Sequence, residues 1–202
     1  MNENLIEIKP SSCLRINLMY AGTRNMFRRA FYKELGLDKC YAHRDMLPYL
    51  DRLQKLLSAE NLILEIRDCY RPLKVQALMW EYLPDDRYLA PPSRGSKHNK
   101  GTAVDCTLLD AAGKELEFPT EVDGYREDLI DDFLGGNMAP VLQHLAKAAH
   151  GYTAPGQETA AANRRRLKTL MEQAGFVSLE EEWWHYELPN AGNYPLITEL
   201  PR

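Results

Sequence analysis

Three stretches of the chain place apolar side chains at the three- and four-residue spacing of an amphipathic helix. In residues 44–60 this spacing puts six of them on one face, namely Met46, Leu47, Leu50, Leu53, Leu56 and Leu57. A second helix is predicted to begin at Pro72, which suits a first helical position because it has no N–H to leave unpaired. The third, residues 158–174, ends before Gly175, a residue favoured just past a helix.

Short runs rich in branched and apolar residues predict strands between these helices. The predicted strands are residues 14–19, 62–66, 102–109, 176–179 and 183–188, with one more short strand after a turn at 111–114. Residues 83–95 are rich in Pro, Asp and Gly and are predicted to form a loop. The mixture predicts an α+β fold in which helices pack against a small sheet. No linker or internal repeat divides the chain, so we expect a single domain over residues 1–202.

Composition excludes several classes of function. The formal net charge is −4 with both signs dispersed, so we expect no nucleic-acid partner. No apolar run reaches the length of a membrane span, so no membrane partner is expected. Residues 1–4 lack the pattern of a secretory signal, which favours a cytoplasmic enzyme. The four cysteines are widely separated, and we expect free thiols. The sequence leaves the oligomeric state open.

Two motifs far apart in the sequence carry the candidate chemistry. The first contains His98 and Asp105, and the second contains Glu182 and His185. Zinc accepts imidazole nitrogen and carboxylate oxygen, and a catalytic zinc site keeps one position open for water. His98, Asp105 and His185 are therefore the predicted metal ligands, with Glu182 as the base that takes a proton from water. Alternate residues of a strand face opposite sides, so Glu182 reaches the metal only if the chain turns or bulges at Trp183-Trp184.

The motif Ser-x-His-x-x-Gly-x-Ala-x-Asp over residues 96–105, followed by Glu-Trp-Trp-His at 182–185, resembles the D-alanyl-D-alanine dipeptidases of the vancomycin-resistance type. These are zinc peptidases, related to the D-Ala-D-Ala carboxypeptidases. The likeness extends upstream to Asp68-Cys69-Tyr70-Arg71-Pro72 and to Tyr20. It implies a hedgehog-like α+β fold with a small central antiparallel sheet, one zinc ion per chain, and hydrolysis of D-alanyl-D-alanine or a similarly small dipeptide.

The resemblance also implies roles for individual residues. Arg71 is expected to stabilise the oxyanion that develops during attack, and an ion pair with Asp68 is compatible with that role. Ser96 is expected to bind the substrate carboxylate, with Tyr20 also near the substrate. Asp123 is the nearest match to the acidic residue that holds the substrate ammonium, although its flanks depart from the family pattern.

Residues 119–157 diverge from the resemblance and are longer than the short loop expected there, so we interpret them as an insertion that forms or covers part of the site. Residues 140–150 within it have the spacing of a helix. Two alternatives to the dipeptidase stay open. One is a D,D- or L,D-carboxypeptidase that trims cell-wall peptides. The other is a zinc-bound binding module without catalysis, which would need neither Glu182 nor Arg71.

Overall fold

The computed structural model describes residues 3–37 and 39–199 and combines two sheets with helices. The strands, numbered in chain order, are β1 (Leu5–Ile8), β2 (Leu14–Ile16), β3 (Cys40–His43), β4 (Ile63–Asp68), β5 (Ala103–Leu109), β6 (Val177–Leu179) and β7 (Glu182–Glu187). The α-helices are α1 (Phe31–Glu34), α2 (Leu47–Ala59), α3 (Leu73–Tyr82), α4 (Ile130–Leu134), α5 (Met138–Leu145) and α6 (Glu158–Ala174). The prediction that helices and sheets are mixed in one fold is confirmed.

The larger sheet has five strands in the order β2-β4-β5-β7-β6. Strand β2 runs parallel to β4, and the other three pairings are antiparallel. Every residue of β5 is buried, as expected for a strand with neighbours on both sides. Strands β1 and β3 form a separate antiparallel pair that the hydrophobic pattern did not predict.

The long helices follow the sequence pattern closely. Helix α2 packs against α6, with Leu53 and Leu57 on one side and Leu167 and Leu170 on the other in the shared core. Helix α6 has the predicted limits and ends just before Gly175, whose φ of 101° is left-handed. Helix α3 begins one residue later than predicted, because Pro72 has the extended ψ of 142° and therefore precedes the helix.

Two expectations need correction. The strand predicted after residues 111–114 is wrong, since only a single antiparallel bridge joins Leu109 to Glu115. The helix expected over residues 140–150 begins and ends earlier as α5 and continues as one 3-10 turn at Ala146–Ala148. Buried Ile130, Phe133 and Val141 tie this part of the chain to the main core. Within residues 3–37 and 39–199, no helix has both the length and the apolar character that crossing a bilayer requires.

The turn that precedes β5 is locked against the smaller sheet. Its Gly101 has φ of 68°, and its carbonyl accepts a hydrogen bond of 2.8 Å from the His43 amide at the end of β3. A Cβ atom added at Gly101 would lie 2.8 Å from that same amide nitrogen, which belongs to backbone and cannot rotate away. Glycine is therefore required here by space as well as by conformation.

We expect Gly101→Ala to lower the free energy of unfolding by about 2 kcal/mol or more beyond the loss in Gly36→Ala. Gly36 is the matched control because it has the same φ of 68° but no heavy atom within 4 Å of the added Cβ. Urea denaturation of both variants measures the difference. Equal losses in the two variants would mean that the contact with His43 imposes no constraint.

Candidate metal centre and active site

Three elements bring the predicted metal ligands together. Asp105 on β5 lies directly opposite His185 on β7 in the antiparallel register, so their side chains share one face of the sheet. His98 lies in the 3-10 turn His98–Lys100 just before β5, and its carbonyl accepts a hydrogen bond of 3.1 Å from the Arg71 amide. All three side chains are buried.

The donor atoms of these residues converge on one point. Nδ1 of His185 lies 2.9 Å from Oδ1 of Asp105, and Nε2 of His98 lies 3.3 Å from Oδ2 of Asp105 and 3.2 Å from Nδ1 of His185. Bonds of about 2.0–2.1 Å to a tetrahedral metal would separate neighbouring donors by about 3.3 Å. The triad therefore fits a divalent metal such as zinc in both ligand type and spacing.

Electrostatics at the triad favour a bound cation. Burial alone would raise the pKa of Asp105, but His98 and His185 outweigh it and hold that pKa well below its usual range. Burial would likewise lower the pKa of His185, yet hydrogen bonds to Asp105 and Glu187 raise it to about 10. The raised pKa of His185 means that this site stabilises an added positive charge, here a proton. A metal ion can supply that positive charge instead when it displaces the proton.

Outer hydrogen bonds fix which nitrogen of each imidazole faces the triad. Nδ1–H of His98 donates to the carbonyl of Cys69 at 2.7 Å, which leaves Nε2 to face the other two donors. Nε2–H of His185 donates to Oε1 of Glu187 at 3.2 Å, and Lys97 contacts the other Glu187 oxygen at 3.0 Å. Partners of this kind orient metal-binding histidines and raise their basicity. The sequence analysis did not identify Glu187, although its position two residues after His185 on a strand puts it on the same face.

Glu182 reaches the same side of the sheet through an irregularity in β7. Ser178 pairs with Tyr186, but the next residue, Leu179, pairs with Glu182, so three residues of β7 are passed over. Oε2 of Glu182 lies 3.8 Å from Nδ1 of His185. The bulge that the sequence required at Trp183-Trp184 therefore lies where it was expected. The Glu182 side chain is 38 % exposed where it lines the cavity, and its partial burial raises its pKa.

Arg71 is buried and held by partners on three sides. Its Nε and Nη2 donate to Oδ2 of Asp68 at 3.0 and 2.8 Å, and Nη1 donates to Oε1 of Gln76 at 3.2 Å. The other oxygen of Asp68 accepts a short hydrogen bond from the Tyr32 hydroxyl. The expected ion pair between Arg71 and Asp68 is confirmed, and Tyr32 and Gln76 are partners that the sequence did not reveal.

Asp123 and Tyr20 meet at the far wall of the site. Asp123 Oδ2 accepts a hydrogen bond of 2.5 Å from the Tyr20 hydroxyl and one of 3.1 Å from Tyr88. Burial raises the pKa of Asp123 to about 7, against the opposing influence of the Tyr20 hydrogen bond and Arg71. The left-handed φ of 59° at Asp123 turns the chain inward at this residue. The guanidinium carbon of Arg71 lies 5.1 Å from the centre of the Tyr20 ring, which links this wall to the Asp68–Arg71 pair.

One cavity of about 320 Å³ is lined by all eight residues that were predicted to bind the metal, to catalyse or to bind the substrate. Its walls include Tyr20, Arg71, Ser96, His98, Asp105, Asp123, Glu182 and His185. The Ser96 hydroxyl donates to Oδ1 of Asn99 at 3.2 Å, so it must rotate before it donates to a ligand. Three of the four lysine and arginine side chains on the walls are paired with acids, Arg71 with Asp68, Arg87 with Asp85 and Lys97 with Glu187. Within the described residues, Arg94 has no such partner.

Comparisons with known proteins agree with this geometry. The family model described as D-ala-D-ala dipeptidase matches residues 8–128 and 135–200, and the six residues between these two matched segments lie inside the predicted insertion. The chain is 32% identical over 186 residues to the D-alanyl-D-alanine dipeptidase of Escherichia coli K12, covering 92% of this chain and 84% of that protein. D-alanyl-D-alanine dipeptidases of Enterococcus faecium and Streptomyces coelicolor are 36% and 37% identical over 93 residues, which are 46% of this chain and 37% of each relative.

We expect Glu187→Gln to weaken divalent metal binding by about 10–100-fold, because the neutral amide no longer balances the charge on His185. Calorimetric titration of the metal-free protein with zinc measures the affinity. Glu199→Gln serves as a control outside the cavity, and His185→Ala should remove the high-affinity site. If Glu187→Gln bound zinc as tightly as the unmodified protein, the hydrogen bond to His185 would have no part in orienting the ligand.

Proposed function

The chain belongs to the D-ala-D-ala dipeptidase family, and from this premise we propose that it is a zinc-dependent dipeptidase that hydrolyses D-alanyl-D-alanine or a similarly small dipeptide. The observation that carries the proposal is the convergence of His98, Asp105 and His185 beside Glu182 and Arg71 in a single cavity. A binding module needs the first three residues but has no use for a carboxylate and a guanidinium at the same point. The direct test is the release of D-alanine from D-Ala-D-Ala by the zinc-loaded protein, with loss of activity after chelation.

The proposed zinc ligands are His98, Asp105 and His185, which supply two nitrogens and one oxygen. A zinc ion held by them provides Lewis acidity and lowers the pKa of water to about 7. Glu182 is the proposed base, since its carboxylate lies 3.8 Å from a ligand nitrogen and its raised pKa suits a group that both accepts and returns a proton. The same carboxyl group then delivers the proton to the leaving amine.

Arg71 is the proposed donor to the carbonyl oxygen as negative charge develops there. Its three partner bonds, to Asp68 and Gln76, hold the guanidinium in place, so little reorganisation is required when charge appears. A buried, fixed cation beside the developing charge stabilises the transition state more than the neutral ground state.

The two charged ends of a dipeptide have separate proposed partners. Asp123 receives the ammonium, supported by Tyr20 and Tyr88, which both donate to Oδ2 and leave Oδ1 available. Ser96 receives the carboxylate after rotation away from Asn99, and the unpaired Arg94 two residues earlier supplies the positive charge. This arrangement favours a substrate with both termini free, which separates a dipeptidase from a carboxypeptidase.

We further propose that the fold is the hedgehog-like fold of zinc D-Ala-D-Ala peptidases and that residues 1–202 form one domain. The pairing of Asp105 and His185 in the antiparallel part of the sheet supports the first point. A contiguous buried cluster that extends from Ile8 to Leu188 supports the second. A cytoplasmic location is also part of the proposal, supported by four cysteines that are all unpaired.

We expect Glu182→Gln to bind zinc normally but to lose about 10²–10⁴-fold in kcat, because an amide cannot accept a proton from water. Glu180→Gln is the matched control, since Glu180 pairs with Lys168 outside the cavity at 3.3 Å. Metal analysis and D-alanine release would be measured on the same preparations. A kcat within a few-fold of the unmodified protein would assign the base to another residue.

Blocking the amino group of the dipeptide should abolish cleavage, because the ion pair between the substrate ammonium and Asp123 is lost. We expect acetyl-D-Ala-D-Ala to have a kcat/KM at least about 100-fold below that of the free dipeptide, and Asp123→Asn to remove most of this preference. Since the raised pKa of Asp123 is about 7 in the metal-free protein, the preference should also decline as acidification protonates the carboxylate. Efficient cleavage of the acetylated dipeptide would move the protein to the carboxypeptidase class.

A further inference from the structure

A second cavity, of about 330 Å³, adjoins the first. The two share four wall residues, Arg87, Tyr88, Asp123 and Glu182. Beyond that common wall the second cavity is lined mainly by apolar side chains, namely Leu142, Leu145, Ala146, Ala149 and Trp184. Neither the metal ligands nor the Asp68–Arg71 pair reaches it, so the chemistry proposed above gives it no role.

We propose that this second cavity receives the side chain of the amino-terminal residue of the substrate, and that the protein hydrolyses dipeptides whose first residue is large and apolar. The inference rests on the proposed function and extends it from D-alanyl-D-alanine to a wider class of dipeptide. It assigns substrate selection to α5 and the turn that follows it.

The position of the shared wall carries the argument. In the proposed binding mode the ammonium lies at Asp123, and the carbonyl to be attacked lies beside Glu182. The Cα atom of the first residue is bonded to both groups, so it lies between Asp123 and Glu182. Because those two residues line both cavities, the side chain on that Cα atom lies at the boundary between the first cavity and the second. The methyl group of alanine would leave most of this cavity of about 330 Å³ unfilled, since a group of that size needs little more space than one water molecule, which accounts for about 30 Å³ of liquid.

The walls of the second cavity are held in place before any ligand arrives. A Cβ atom added at Gly124 would lie 2.4 Å from Cδ2 of Leu145, which shows how closely α5 packs on the turn that carries Asp123. Phe133 of α4 packs edge-on against Tyr88 with ring centres 4.9 Å apart and thereby fixes the shared wall. Buried Met138 and Val141 anchor the other side of α5 in the core. Beyond the shared wall the lining of this preformed cavity is apolar except for Glu181, so it favours an apolar group, and little of it must be ordered when it fills.

The test compares kcat/KM for D-Ala-D-Ala, for D-Leu-D-Ala and L-Leu-D-Ala, and for the reversed dipeptide D-Ala-D-Leu. We expect at least one of the two dipeptides with leucine first to equal or exceed D-Ala-D-Ala, and D-Ala-D-Leu to fall below it. An added methylene in an apolar pocket changes selectivity by about 10-fold or more. Cleavage of D-Ala-D-Ala but of neither dipeptide with leucine first would overturn the subsite alone. Cleavage of no dipeptide would overturn the proposed function and the subsite with it.

A variant that fills the cavity gives the second arm. Ala146 is exposed and also lines the second cavity, so the variant Ala146→Trp should fold. The measured quantity is kcat/KM for the better leucine-first dipeptide divided by kcat/KM for D-Ala-D-Ala. We expect Ala146→Trp to lower this ratio by about 10-fold. Ala162→Trp, at an exposed position of α6 outside both cavities, is the matched control and should leave the ratio unchanged. Leu142→Ala enlarges the cavity and should raise the ratio for D-Phe-D-Ala. Ratios that stay unchanged in both cavity variants, with folding verified by circular dichroism, would overturn the proposal.

Discussion

The candidate site depends on keeping ionisable groups close together where water cannot screen them. The donor atoms of His98, Asp105 and His185 lie within 4.8 Å of one another in a buried region. Charges in such a place are stable only if each is paired or hydrogen-bonded. The surrounding structure meets that requirement with the carbonyl of Cys69 on one side and the Glu187–Lys97 pair on the other. A divalent cation completes the balance, so the fold and the metal stabilise each other.

The same requirement explains the charged groups around Asp68, which lies next to the triad. A bulge in β4 between Ile66 and Asp68 brings Asp68 opposite Asp105, and two neighbouring carboxylates repel unless cations intervene. Arg71 neutralises Asp68 on one side, while His98 approaches it to 3.7 Å on the other. Arg71 also lies over the Tyr20 ring, and Tyr20 donates to Asp123. A continuous chain of polar contacts thus joins the metal centre to the proposed ammonium site, so a change at either end alters the electrostatics of the other.

The periodicity of apolar residues predicted the elements whose limits are set by nearby residues in the sequence. The predicted limits of helix α6 agree with those in the structure, because its apolar stripe and Gly175 both mark them. Strands β1 and β3 were missed, because their pairing joins residues more than thirty positions apart and each strand has only four residues. The eight predicted site residues share one cavity, since their motifs encode ligand chemistry directly. Tyr32, Tyr88 and Glu187 could not be found in the same way. The role of such a tyrosine or glutamate depends on the residue that folding places in contact with it, and the sequence alone does not indicate which residue that is.

The sheet and the predicted insertion differ in how strongly packing constrains their side chains. The predicted metal ligands lie on β5, on β7 and in the turn that contains Gly101, where register and close packing allow little displacement. Catalysis requires that stiffness, because donors misplaced by about 1 Å lose much of their effect. Residues 119–157 contribute Asp123 and all the apolar side chains of the second cavity except Trp184, from short helices and turns outside the ladder of the sheet. Side chains there can change size without altering strand register, so substrate choice can vary while the chemistry stays fixed.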